Sequence, residues 1–206
     1  MFNSGFKESQ LDGTEKIFDV PKNMGLPKQY SYMKYLPNPL NQGSDPICVP
    51  CSISAFLNWD INTEKGNKKD NKIDVYEIFN NRKSDSPDGM EFKEAFEYLM
   101  ENGVKTKEGR VYIKGYAQIR NELALKFALI TNGPCVAALP VYDSYQDEFW
   151  KKDYDIEGYH AIAIIGYNEE GFIIRNSWGS SYGEDGCYLI KNEDINKFIE
   201  IWTLIR

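Results

Sequence analysis

Residues 158–179 read GYHAIAIIGYNEEGFIIRNSWG. His160 is the only histidine in the chain. It opens a continuous apolar run that reaches Tyr167, and a second run from Gly171 ends at Asn176-Ser177-Trp178-Gly179. Short apolar runs bounded by Gly and polar residues are read as buried strands. Histidine is the one side chain whose unperturbed pKa lets it trade protons near neutral pH, so any imidazole chemistry here falls to His160. Taken alone, a histidine at the start of a buried strand is a hydrogen-bonded core residue, and Asn176-Ser177 is a loop cap.

The same strand-like pattern covers Cys135–Val141, Cys187–Lys191 and Glu200–Arg206. Upstream the period is helical. Apolar residues at helical spacing predict helices over 48 to about 60, over Asp74 to about Arg82, over Glu91 to Asn102 with Gly103 as the cap, and over about Ala117 to Thr131 before Asn132-Gly133-Pro134. A charged loop over 62–73 and a turn at Asp85-Ser86-Pro87-Asp88-Gly89 separate them. Helices first and strands later predict an α+β chain with segregated lobes.

Asn41-Gln42-Gly43-Ser44-Asp45-Pro46-Ile47-Cys48 leads into the first helix. A cysteine there, with His and Asn far downstream, is the pattern of a thiol nucleophile whose partners meet only in the fold. The helix N-terminus and a nearby imidazolium are both expected to lower the Cys48 pKa and favour the reactive thiolate. In isolation Gln42-Gly43 is turn chemistry and Trp178 a core aromatic; these plain readings are plausible singly and improbable together.

The order Gln42, Cys48, His160, Asn176, followed by Asn176-Ser177-Trp178-Gly179-Ser180-Ser181-Tyr182-Gly183, resembles the papain-like cysteine peptidases, with Tyr182 in place of a second Trp. The resemblance implies a two-lobed α+β fold, a helical N-terminal lobe and an antiparallel β-rich C-terminal lobe with the cleft between them. It implies Cys48 as nucleophile, His160 as general acid and base, Asn176 as orienter of the ring, Gln42 as oxyanion donor and Trp178 as a cover over the His–Asn contact. It further implies that Gly89 pairs with substrate backbone and that Met90, Ala138 and Ala161 line the adjoining side-chain pocket. Residues 79–82 and 97–104 look like bacterial and phage-type members rather than animal or plant ones. Val49-Pro50 after the cysteine, and Asp45 where secreted members start a disulfide, depart from the pattern.

Residues 1–25 are polar and aperiodic and are read as an N-terminal extension, either a disordered tail or a short cap, shorter than the helical pro-segments of the family. By the same resemblance, residues 26–206 are expected to form the peptidase domain, its helical lobe over about 40–110 and its β-rich lobe over about 111–206.

A net charge of −7 argues against nucleic acid as partner. No apolar run approaches the length needed to span a bilayer, and Met1–Lys7 lacks a secretory pattern, so a cytoplasmic location is expected for the chain as it stands, or a secreted one if a signal has been trimmed. The expectation is a monomer acting on polypeptides, with no cofactor and no metal: Cys48, Cys51 and His160 lack a fourth zinc ligand at sensible spacing. Cys135 and Cys187 are expected to be buried spectators. Two rivals stand beside the peptidase. Cys48-Val49-Pro50-Cys51 is a C-x-x-C at a helix start, as in thiol–disulfide oxidoreductases, although a Pro-rich lead-in stands where a strand is required. A catalytically inactive papain-like binding module is the other, and the complete Gln, Cys, His and Asn set argues against it.

Overall fold

In the computed structural model, residues 5–21, 25–83, 89–143, 147–152 and 155–206 are described; of the turn expected at 85–89, residues 85–88 lie outside them. The elements in chain order are β1 (Phe6–Lys7), β2 (Tyr30–Ser31), α1 (Cys48–Lys65), α2 (Val75–Asn80), β3 (Met90–Glu91), α3 (Phe92–Glu101), β4 (Val104–Thr106), β5 (Gly109–Val111), β6 (Gly115–Gln118), α4 (Glu122–Thr131), β7 (Cys135–Val141), β8 (Gly158–Tyr167), β9 (Gly171–Arg175), β10 (Cys187–Lys191) and β11 (Glu200–Ile205).

The large sheet has the order β10-β9-β8-β7-β11-β6, with β2 added against β8. All its pairings are antiparallel. Its central strand β8 is buried on both faces, which explains an apolar run without alternation. Ala161, Ala163 and Ile165 face one core with Val136, Ala138 and the apolar residues of α1. Ile162 and Ile164 face a second core with Ala137, Leu139 and the apolar residues of α4. The alanines on the first face let α1 lie close to the sheet. From Cys48 to Asp60 every residue of α1 is buried, so this helix is the spine between the two halves of the protein and has no solvent stripe over that stretch.

Three of the four predicted helices keep their places. Asp74 caps α2 by accepting from the Glu77 N–H, and Glu91 and Glu94 make a reciprocal capping box on α3. Gly103 follows α3 at φ +61°, the left-handed conformation that ends a helix. The fourth starts later than its apolar pattern suggests. Gly115–Gln118 is edge strand β6, paired with Trp202–Ile205 of β11, and the helix begins only where Asn121 accepts from the Ala124 N–H. An unpaired β11 edge offers Tyr116 and Ala117 a ladder, and pairing wins over local helical period. The 62–73 segment also differs from a plain solvated loop. It begins inside α1, and buried Asn71 donates to Asn58 Oδ1 at 3.1 Å and to Asn62 Oδ1 at 3.0 Å, while Asn62 donates to the carbonyls of Tyr35 and Lys69. No helix among the described residues is long and apolar enough to cross a membrane.

Candidate active site

Cys48 is the first residue of α1; its N-cap, Ile47, supplies no side-chain bond to the helix end. The sulfur therefore lies among unpaired first-turn amides. The backbone N–H groups of Ala161, Gly5, Val49 and Cys48 itself are directed at it. Ala161 follows His160 on β8, so α1 brings the thiol to the strand that carries the histidine.

His160 Nε2 lies 2.7 Å from Asn176 Oδ1. The Ser177 N–H donates to the same oxygen at 2.7 Å. Two donors converging on one atom identify it as the amide oxygen, so Nε2 carries the hydrogen and, in the neutral ring, Nδ1 is the basic nitrogen. Trp178 lies against the imidazole, with ring centroids 4.8 Å apart and planes at 31°, and Phe149 closes the edge at 6.1 Å. His160 is 1% exposed. The arrangement holds one tautomer of a dry imidazole.

Gln42 reaches this site through the backbone. Its N–H donates to the Ser177 carbonyl at 2.8 Å, and the Gly179 N–H donates to the Leu40 carbonyl at 2.9 Å, with Asn41 bridged to Trp178. Ser177 Oγ donates to Gln42 Oε1 at 2.6 Å, and Gln42 Nε2 donates to the Asp45 carbonyl at 2.9 Å. The two sequence motifs, far apart in the chain, are one short antiparallel ladder. Ser177 is the residue that sequence reading passed over; its place inside Asn-Ser-Trp-Gly gave no sign that its hydroxyl fixes Gln42.

Met90, Ala138 and Ala161 are fully buried in the apolar cluster that also holds Cys48 and Phe6. Ala138 and Ala161 are paired neighbours on β7 and β8. Phe6 comes from the N-terminal segment, which runs through the site. β1 pairs in parallel with β3, Phe6 opposite Met90, and the Met90 N–H donates to the Gly5 carbonyl at 2.9 Å. Gly89 has φ +133°, and a Cβ there would stand 2.3 Å from the Gly5 oxygen; a Cβ on Gly5 would stand 2.2 Å from the Pro46 carbonyl. Both glycines are needed for backbones to approach this closely.

The burial of both groups runs against the expected ionisation. Burial pushes the Cys48 thiol up to about 11, with the four amides acting only as a partial counterweight. Burial lowers His160 to about 4, against the opposing bond to Asn176. Both shifts have one cause: burial disfavours the thiolate and the imidazolium alike and outweighs the amides around the sulfur and the bond to Asn176. Cys51 is also buried, and burial raises its thiol well above the ordinary range. All four cysteines are free and buried, as expected for Cys135 and Cys187. No metal-binding cluster of His, Cys, Asp and Glu occurs among the described residues.

A model described as papain family cysteine protease matches residues 60–201; His160 and Asn176 lie within the match, Gln42 and Cys48 before it. A cathepsin B-like protein, CP3, of Giardia intestinalis is 38% identical over 76 residues, 32% of this chain and 25% of that protein. Fruit bromelain of Ananas comosus is 31% identical over 114 residues, 49% of this chain and 32% of that protein. The chain thus matches only a quarter to a third of the length of these two relatives. Xylellain, a cysteine protease from Xylella fastidiosa, superposes with a TM-score of 0.85 at 18% identity, covering 99% of this chain and 96% of xylellain, which establishes the shared two-lobed α+β fold.

Proposed function

The chain belongs to the papain family of cysteine proteases, and on that premise we propose that it is an endopeptidase working through a Cys48 thioester. The observation that carries the reading is the bond from His160 Nε2 to Asn176 Oδ1 at 2.7 Å. It leaves Nδ1 as the base, on the strand whose next amide is directed at the Cys48 sulfur.

His160 Nδ1 takes the thiol proton as Cys48 Sγ bonds to the substrate carbonyl carbon, and the carbonyl electron pair moves onto oxygen. Gln42 Nε2 and the Cys48 N–H are the oxyanion donors. Ser177 fixes the other end of the Gln42 amide and sets its orientation, and preorganised donors of this kind contribute about 2.7–4 kcal/mol each. Collapse of the intermediate breaks the C–N bond, and the proton on Nδ1 passes to the leaving amine. Water then gives a proton to Nδ1 and its oxygen to the thioester carbon; the C–S bond breaks and the thiol is regenerated. Trp178 keeps solvent from the His160–Asn176 bond.

Substrate enters as an extended strand against Gly89, with a bulky apolar side chain among Met90, Ala138 and Ala161. The acidic balance, net −7, supports a polypeptide rather than a nucleic-acid substrate, and four free cysteines support a reducing, cytoplasmic setting. We take the active form to be a monomer. The oxidoreductase rival is not favoured: α1 is preceded by a Pro-rich segment, and the large sheet it packs on is antiparallel throughout.

The test is labelling with an epoxysuccinyl peptide under reducing conditions, read by intact mass and peptide mapping, on the full chain and on Gly5→Val, which displaces the covering strand. One adduct on Cys48, abolished by His160→Ala, is expected. Equal alkylation of Cys48 and Cys51, unchanged by His160→Ala in both backgrounds, would sink the reading.

A further inference from the structure

We propose that Tyr76 and Asp45 are positioning residues for catalysis, which aim the Gln42 amide at the developing oxyanion from the helical side of the protein. The inference deepens the peptidase reading and rests on it.

Gln42, Gly43, Ser44 and Asp45 form one turn that is closed twice. The Asp45 N–H donates to the Gln42 carbonyl at 3.1 Å, and Gln42 Nε2 donates back to the Asp45 carbonyl at 2.9 Å. Gly43, at φ +57°, supplies the left-handed residue that the turn requires. The direction of the Gln42 amide is therefore tied to where the Asp45 backbone sits. The Asp45 side chain in turn ties that backbone to α2: the Tyr76 hydroxyl donates to Asp45 Oδ2 at 2.5 Å. A hydrogen bond from a hydroxyl to an ionised carboxylate is of the stronger, charge-assisted kind. Tyr76 is 48% exposed, so packing of its ring does not account for a tyrosine here, and the bond to Asp45 does.

The helix that carries Tyr76 is braced. Asp74 caps α2 by accepting from the Glu77 N–H at 2.9 Å. The Glu77 carboxylate accepts the Tyr98 hydroxyl at 3.1 Å, the Lys105 N–H at 3.0 Å and Arg110 Nη2 at 2.5 Å, which joins α2 to α3 and to the β4–β5 hairpin. At the other end of the Gln42 side chain, Oε1 takes the Ser177 hydroxyl at 2.6 Å, from the segment that follows β9. The amide is thus gripped from both halves of the protein, its oxygen by Ser177 and its nitrogen through Asp45 and Tyr76. An oxyanion donor accelerates the reaction only when it is already aimed as charge develops. A small error in its aim costs rate and leaves substrate binding untouched.

The experiment measures kcat and KM on a fluorogenic peptide for the full chain and for Tyr76→Phe, Asp45→Ala, Asp45→Asn, Gln42→Ala and the Gln42→Ala/Tyr76→Phe double variant. Tyr76→Phe removes one hydroxyl and should lower kcat by about three- to tenfold at unchanged KM, the worth of a single hydrogen bond. Asp45→Ala removes the acceptor from the other side and should match it. Asp45→Asn keeps an oxygen for the phenol and should retain most of the wild-type kcat. With Gln42→Ala already in place, Tyr76→Phe should cost nothing more, because the hydroxyl acts through an amide that is no longer there. The same loss in both backgrounds, a change in KM alone, or a kcat equal to wild type in Tyr76→Phe would overturn the positioning role and leave the peptidase intact. No hydrolysis by the wild-type chain, with Cys48 no more reactive than Cys51 toward an epoxysuccinyl peptide, would overturn the peptidase reading and this role with it.

Discussion

Asn176 Oδ1 accepts two hydrogens at 2.7 Å, one from His160 Nε2 and one from the Ser177 amide. It thereby links the imidazole tautomer to the ladder that holds Gln42. Replacing Asn176 by Ala removes the acceptor but leaves Trp178 over the ring. The ring loses its anchor and the second tautomer becomes available, with the wrong nitrogen protonated. A hydrogen bond of this type, charged during part of the reaction, is worth about 1.5–3 kcal/mol. Asn176→Ala should therefore lower kcat/KM by roughly 10–100-fold, measured on a fluorogenic peptide. Asn176→Gln, longer by one methylene, should not restore it.

Gln42 is tested separately. If its amide is an oxyanion donor, Gln42→Ala should reduce kcat by about 10²–10³ with little change in KM, the signature of an interaction made only in the transition state. Ser177→Ala removes the hydroxyl bond to Gln42 Oε1 and should produce a weaker version of the same kcat effect. A rise in KM alone would assign both residues to ground-state packing.

Acid stability follows from the burial of His160. Its folded pKa is about 4, below the ordinary value near 6.5. Between these limits the unfolded chain binds a proton that the folded chain refuses, so stability rises with pH across the window. The contribution is whole above about pH 6.5 and is lost as the pH falls toward 4, amounting to roughly 3 kcal/mol at most. Urea midpoints from pH 7.5 to 4 should fall more steeply for the wild type than for His160→Ala. Parallel curves would place the acid sensitivity in the carboxylates.

The strands from Cys135 onward, three helices and the Gln42, Cys48, His160, Asn176 order were legible in the sequence because each is signalled locally: an apolar run, a cap, or a short motif. What was not legible is pairing between distant segments. Nothing within Gly115–Gln118 says that β11 leaves an edge for it. Nothing within Gly5-Phe6-Lys7 says that it will lie beside Met90, because a two-residue strand has no period to detect. The ionisation of Cys48 and His160 was misjudged for the same reason. A helix N-terminus is visible in sequence, but the burial that outweighs it belongs to the assembled fold.

Asn71 makes the last prediction, on stability instead of catalysis. Its side chain donates to Asn58 Oδ1, Asn62 Oδ1 and the Lys69 carbonyl, and its own N–H also reaches Asn58 Oδ1 at 3.0 Å. Asn71→Ala leaves the buried Asn62 oxygen without this donor and weakens the hold on segment 67–73. The cost of a buried polar atom left without its partner is about 1–3 kcal/mol. The urea midpoint should drop by that free energy divided by the m-value, itself unchanged, and amide exchange should quicken in 67–73 and at the C-terminal end of α1 ahead of the sheet. Asn71→Asp keeps an oxygen but points an acceptor at three acceptors, and it should be at least as damaging as Ala. If Asp were tolerated and Ala were not, the network's contribution would be shape and not hydrogen bonding.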